Sequence, residues 1–169
     1  MNKKQLMFIP APLECLVSRD SDIWITPDWI AEDVVKFFQP TGRILDPCKG
    51  EGAFLRHMPG ADWCEIKEGR DFFTWNEHVD WIISNPPNSI YTQWFQHSIE
   101  IADNIVYLIP IHKVFGSWGR LMSLKDWGWI KHIRFHGKSR VYGYDVGFAC
   151  GAIYFKKGHT LETEYSFSG

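Results

Sequence analysis

The chain has 169 residues, 45% hydrophobic and 22% charged, with a net charge of -2. That is enough for one globular domain with a sizeable core, and it excludes the global basic signature of a nucleic-acid-coating protein. No apolar run reaches membrane-spanning length, and Cys15, Cys48, Cys64 and Cys150 form neither a CxxC pair nor a metal-type spacing with histidine. A reducing cytoplasm, no membrane association and no metal are therefore expected.

Residues 1–22 lack periodicity and carry Pro10 and Pro12, so they read as an arm or loop. Glu14 and the two prolines break the apolar run after Lys3 and Lys4, which argues against a signal peptide. Thr26-Pro27-Asp28 predicts a helix start, with Thr26 as N-cap and Pro27 at the first helical position. Ile30, Ala31, Val34, Phe37 and Phe38 then share a face, and Pro40 with Gly42 closes the element. Arg43-Ile44-Leu45 predicts a short strand, followed by a glycine-rich turn and a helix from Ala53. Trp63–Ile66 is the second expected strand and Val79–Ile83 the third, the latter ended by Pro86 and Pro87. A helix over Tyr91–Ile101 and a buried strand over Asn104–Ile109 come next. A loop over 112–120 and a short helix over Leu121–Trp127 follow. Trp129–Phe135 and Val146–Phe155 read as two last strands, an antiparallel pair at a sheet edge. The pattern predicts a Rossmann-like α/β three-layer sandwich: a mostly parallel sheet with an antiparallel C-terminal edge strand. The domain is expected over 23–158, with 159–169 as a tail.

In such sheets ligands bind outside the C-terminal strand ends. Asp46, Glu65, Asn85 and Pro110 all fall at such ends, so they predict a single site. In Asp46-Pro47-Cys48-Lys49-Gly50-Glu51-Gly52 the glycines let backbone approach a ligand, and a following helix start offers free N–H groups. Leu55 stands where a dinucleotide fingerprint has its third glycine, and no Lys-Ser or Lys-Thr pair follows, which disfavours both NAD and a P-loop. Glu65 lies where a ribose-binding carboxylate belongs, although alone it reads as a surface residue. Asn85, alone, reads as a turn residue before proline.

Together these segments carry a resemblance. DPCKGEGAF resembles the cofactor motif of class I S-adenosylmethionine-dependent methyltransferases, and SNPP resembles their catalytic N/D-P-P-aromatic motif. In this order they are most similar to the N6-adenine DNA methylases, and Trp24-Ile25-Thr26-Pro27 is similar to an element preceding the cofactor motif in small phage-type members. The resemblance spans 23–157 and implies S-adenosyl-L-methionine as cofactor. It implies that Asp46, Gly50 and Gly52, with Pro47, Cys48 and Phe54 in the same loop, hold the methionine part. Thr26 and Pro27 would close that side, Glu65 would hold the ribose, and Asp71 with Phe72 the adenine. Asn85 and the carbonyl of Pro86, stiffened by Pro87, would accept hydrogen bonds from the target amino group.

Two departures bear on the substrate. Asn88 stands where the family has an aromatic ring, and it cannot stack on an extruded base. A ring must then come from elsewhere, with Tyr144, between Gly143 and Gly147, expected ahead of Tyr91, and with Tyr142 and Phe148 as the other candidates. Nor is there a segment large enough for a separate target-recognition domain, so recognition is short or relaxed, or is supplied by a homodimer or partner subunit. From Lys113 to Lys157 nine basic residues face only Asp126 and Asp145, which favours nucleic acid, DNA above all, with Lys113, Arg120, Lys138 and Arg140 as phosphate contacts. An RNA or protein-glutamine methyltransferase, or a non-catalytic cofactor-binding protein, are the alternatives.

Overall fold

The computed structural model describes residues 24–138, 148–160 and 162–169. It contains a seven-stranded mixed sheet covered by helices on both faces. The first helix, α1 (Asp28–Phe38), buries Ile30, Ala31 and Val34 and ends on Gln39 in the left-handed region. Strands β1 (Ile44–Asp46), β2 (Asp62–Trp63), β3 (Val79–Ser84) and β4 (Ala102–Pro110) are mutually parallel. Helix α2 (Tyr91–Ile101) connects β3 to β4 over the bounds expected from its periodicity. Beyond β4 come α3 (His112–Phe115) and α4 (Trp118–Trp127), then β5 (Gly128–Lys138), β6 (Ala149–Lys157) and β7 (Glu164–Phe167).

The strand order is β2-β1-β3-β4-β6-β5-β7. Alternate residues of the central strands feed two different cores, which is why their sequences run continuously apolar. Ile105, Tyr107 and Ile109 pack toward α2, while Val106 and Leu108 pack toward α1. The alternation continues in β3 with Ile82 against Ile83, and in β6 with Ile153 and Phe155 against Ala152 and Tyr154.

The antiparallel pair expected near the C-terminal edge is β5 and β6, with β6 inserted between β4 and β5 and antiparallel to both. Four local expectations are corrected. The edge belongs to β7, drawn from the segment expected to trail as a tail, because β5 otherwise leaves a row of backbone groups unpaired. No regular helix follows the glycine turn. Residues 51–57 form successive turns, since only six residues separate Gly52 from Pro59 and a helical nucleus is costly to form. The 112–120 loop is mostly helical, and α4 starts at Trp118 because the Ser117 side chain caps it, accepting from the Arg120 N–H at 3.5 Å. Finally, β2 stops at Trp63, because Glu65 turns away to cap a 3-10 turn over Ile66–Glu68.

β1 lies between β2 and β3, and the chain leaves it first to one side and then to the other. The topological switch point therefore lies outside the C-terminal ends of β1 and β3.

Candidate functional site at the switch point

Asp46 ends β1 fully buried. Its Oδ1 accepts from the Cys48 N–H at 3.2 Å and from the Ser84 hydroxyl at 2.8 Å, whereas Oδ2 is buried with no hydrogen-bond partner among the described residues. Burial pushes its carboxyl up to about 7, against those two hydrogen bonds, and the neighbouring Glu65 adds to the rise. Ser84 closes β3 immediately before Asn85, so one hydrogen bond ties the end of β3 to the start of the glycine turn.

Glu65 is only 9% exposed, not the surface residue that it suggests in isolation. Its Oε2 accepts from the Gly50 N–H at 2.9 Å and its Oε1 from the Lys67 N–H at 3.2 Å. Backbone bonds from Cys64 to Asp46 at 2.9 Å and from Lys49 to Cys64 at 3.0 Å complete the link between β1 and β2. Gly50 and Gly52 take φ of 52° and 77°, and a Cβ built on either meets nothing within 4 Å. These glycines hold the turn in the left-handed region and leave the space above it open.

Asn85 is half-buried beyond β3, flanked by the buried Pro86 and Pro87. Its Nδ2 donates to the Thr26 hydroxyl at 3.2 Å and to the Trp24 carbonyl at 3.4 Å. Thr26 thus makes no side-chain cap for α1, contrary to expectation, and Pro27 occupies the cap position. Asp28, in the first turn of α1, accepts from Arg56 Nε at 2.8 Å and lies 3.2 Å from His57 Nε2, so the helix start is clamped to the segment after the glycine turn.

Thr26, Pro27, Asp46, Pro47, Cys48, Gly50, Gly52, Glu65 and Asn85 are thereby joined along one edge of the sheet. The other expected residues make contacts of their own. Phe54 is buried in the core under α1, and Phe72 lies in the opposite core with its ring 4.6 Å from Trp94. Asp71 caps the turn over Phe72–Thr74, accepting from the Phe73 N–H at 3.0 Å. Tyr91 is 4% exposed and stacks on Phe95. Arg120 is turned inward: it donates to Thr92 Oγ1 at 2.7 Å and to the Lys113 carbonyl at 2.8 Å, and lies over the Tyr91 ring. Lys113 Nζ donates to the Asn88 carbonyl at 3.2 Å, while Asn88 Oδ1 is buried with no partner among the described residues. The Lys138 side chain, Arg140, Tyr142 and Tyr144 lie outside what the structure describes.

Sequence reasoning passed over three contributors. Ser84 was within the motif, and its strand-terminal position beside β1 was the signal. Trp24 acts through its carbonyl, which no side-chain pattern reveals. Trp63 carries Lys49 Nζ 4.1 Å from its ring and the Arg70 guanidinium at 3.9 Å, a cation–π cluster beside Glu65. No described helix is long and apolar enough to cross a membrane.

No family model and no curated protein matches the chain. Solved structures do resemble it. A Listeria monocytogenes protein assigned to the class I S-adenosylmethionine-dependent methyltransferases is 14% identical with a TM-score of 0.58, over 95% of this chain and 68% of that one. The EcoKI M protein of a type I restriction enzyme is 11% identical with a TM-score of 0.56, over 79% of this chain and 44% of that one. The 23S rRNA methyltransferase ErmE is 13% identical with a TM-score of 0.57, over 79% and 69%. The chain thus spans under half the length of the EcoKI M protein. At these identities the likeness is one of fold, and the fold is the Rossmann-like α/β sandwich of these methyltransferases.

Proposed function

We propose that the chain is an S-adenosylmethionine-dependent amino methyltransferase whose substrate is the N6 amino group of adenine in DNA. The observation that carries this reading is the line of contacts from Glu65 and Gly50 through Asp46 and Ser84 to Asn85. It joins an asparagine-proline-proline turn to a glycine cradle at the switch point.

The residues fit the cofactor. Asp46 Oδ2 is a buried acceptor without a partner among the described residues, suited to an α-ammonium group. The open space above Gly50 and Gly52 admits a ligand against backbone. The Glu65 carboxylate, beside that turn, suits two ribose hydroxyls. When bound, S-adenosylmethionine supplies an electrophilic methyl group on a sulfonium.

The chain's own part is to make an amino group nucleophilic. An exocyclic amine conjugated to a ring has little lone-pair density to offer. Asn85 Oδ1 and the Pro86 carbonyl accept hydrogen bonds from its two N–H groups, draw its nitrogen toward tetrahedral character and stabilise the positive charge that develops there. Pro86 and Pro87 hold the acceptors beforehand, so little reorganises during reaction. As the nitrogen–methyl bond forms and the sulfur–methyl bond breaks, one of the two protons leaves the nitrogen to water.

Likeness in fold to a type I restriction-enzyme M protein supports DNA, and likeness to a 23S rRNA methyltransferase makes RNA the second reading. Incubation with labelled cofactor and separate samples of DNA, RNA and protein, followed by nucleoside and residue analysis, distinguishes them. N6-methyladenine in DNA is expected. Label in RNA or on glutamine moves the substrate, and cofactor binding with no label in any polymer overturns catalysis.

A further inference from the structure

Asn85 can accept from an amino group only if the oxygen of its amide, and not the nitrogen, faces the site. The two ends of a side-chain amide are nearly the same shape, so packing alone does not choose between them. The neighbours do. The Trp24 carbonyl can only accept, and it lies 3.4 Å from Nδ2; the Thr26 hydroxyl lies 3.2 Å from the same atom. Turned over, the amide would set its oxygen against the Trp24 carbonyl, oxygen to oxygen.

We propose that Thr26 Oγ1 and the Trp24 carbonyl are positioning groups that fix the amide of Asn85 with Oδ1 presented to the substrate. A second observation points the same way. Thr26 precedes Pro27 at the start of α1, where a hydroxyl commonly caps the helix, and a lost cap costs ~1 kcal/mol. Here α1 has no side-chain cap, and the hydroxyl is directed at Asn85 instead.

The orienting groups also sit on a fixed support. The start of α1 is held by Asp28 to Arg56. Its middle is held by Asp33, which takes both Arg134 Nε and Nη2 at 2.6 Å.

The kinetic consequence rests on the methyltransferase reading; the geometry does not. Thr26→Val removes the acceptor at nearly constant volume, and Thr26→Ser keeps it. Thr26→Val should lower kcat about 10-fold, the effect of one lost orienting hydrogen bond, and Thr26→Ser should restore it. Full activity of Thr26→Val, or a loss that Thr26→Ser does not restore, overturns the proposal.

The side-chain amide resonance of Asn85, observed by nitrogen-15 NMR, gives a readout independent of turnover. It should shift in Thr26→Val and return in Thr26→Ser, and an unchanged resonance also overturns the proposal. If Thr26→Val does not fold, Thr26→Ala reports the same quantities. If the wild-type chain transfers no methyl group, the reading of function falls while the resonance still judges the orientation.

Discussion

Asp46 couples the site to pH. Burial raises its folded value to about 7 from an ordinary 3.8. A carboxyl raised on folding favours the folded state while protonated. Its contribution is fully present below the unfolded value and is lost as pH rises through about 7. A cation against Oδ2 reverses the preference by favouring the ionised form. Cofactor affinity should therefore rise with pH up to about 7 and level off above it, while the stability of the ligand-free protein falls between about pH 4 and 7. Asp46→Asn should flatten both trends and weaken binding; calorimetric titrations and thermal melts across that range check it, and unchanged slopes in Asp46→Asn would refute the assignment. Asn85→Ala should leave cofactor affinity nearly intact and remove ~3–4 kcal/mol of transition-state stabilisation, read as a fall in turnover. Near-normal turnover would return Asn85 to the role of a turn residue.

Elements differ in how far the sequence disclosed them. Helix α2 was legible because Tyr91, Trp94, Phe95, Ser98 and Ile101 fall on one face, and that face is buried. Tyr91 on that face points into the core. The Asp46 and Asn85 ends were legible because turn residues interrupt apolar runs there. The turns after Gly52 were not, since a helical pattern over so few residues cannot be told from successive turns. The fate of Thr26 was hidden for a different reason: the preference of a hydroxyl for a helix cap is local, and the competing partner lies 59 residues away. β7 was missed because four residues with one polar face resemble any loop. They pair with β5, where Ser166 lies 2.7 Å from His132 Nε2 and Glu164 lies 3.1 Å from Nδ1. Truncation after Gly158 should therefore lower the melting temperature by several degrees, roughly 2–4 °C for each kcal/mol lost. Cofactor affinity should persist, because β7 lies at the far edge from β1. Loss of binding with β7 would mean that the site depends on the whole sheet.

At the scale of the molecule, topology brings the motifs together. Two parallel neighbours, β1 and β3, release their chains at the same end, so segments far apart in sequence meet through Asp46 and Ser84. The basic C-terminal third is less simply used. Arg120 is committed to Thr92 and the Lys113 carbonyl, so nucleic-acid affinity should depend little on it as a direct contact. Binding should fall with salt, each phosphate neutralised contributing a slope near -0.9 on duplex DNA, and Lys138→Ala with Arg140→Ala should flatten it. Salt-independent binding would favour a protein substrate.

Every role assigned to Asp46, Gly50 and Glu65 requires that the edge of β1 hold S-adenosylmethionine. Calorimetric titration of the wild-type chain and of Gly50→Val tests this most directly. At Gly50 the backbone has φ 52° and the space above it is open, so a valine side chain both strains the turn and fills the cradle. A binding heat with S-adenosylmethionine and with its demethylated product, lost in Gly50→Val while the variant remains folded, is the predicted result. No heat with either compound in the wild-type chain, or undiminished affinity in the folded variant, would contradict it.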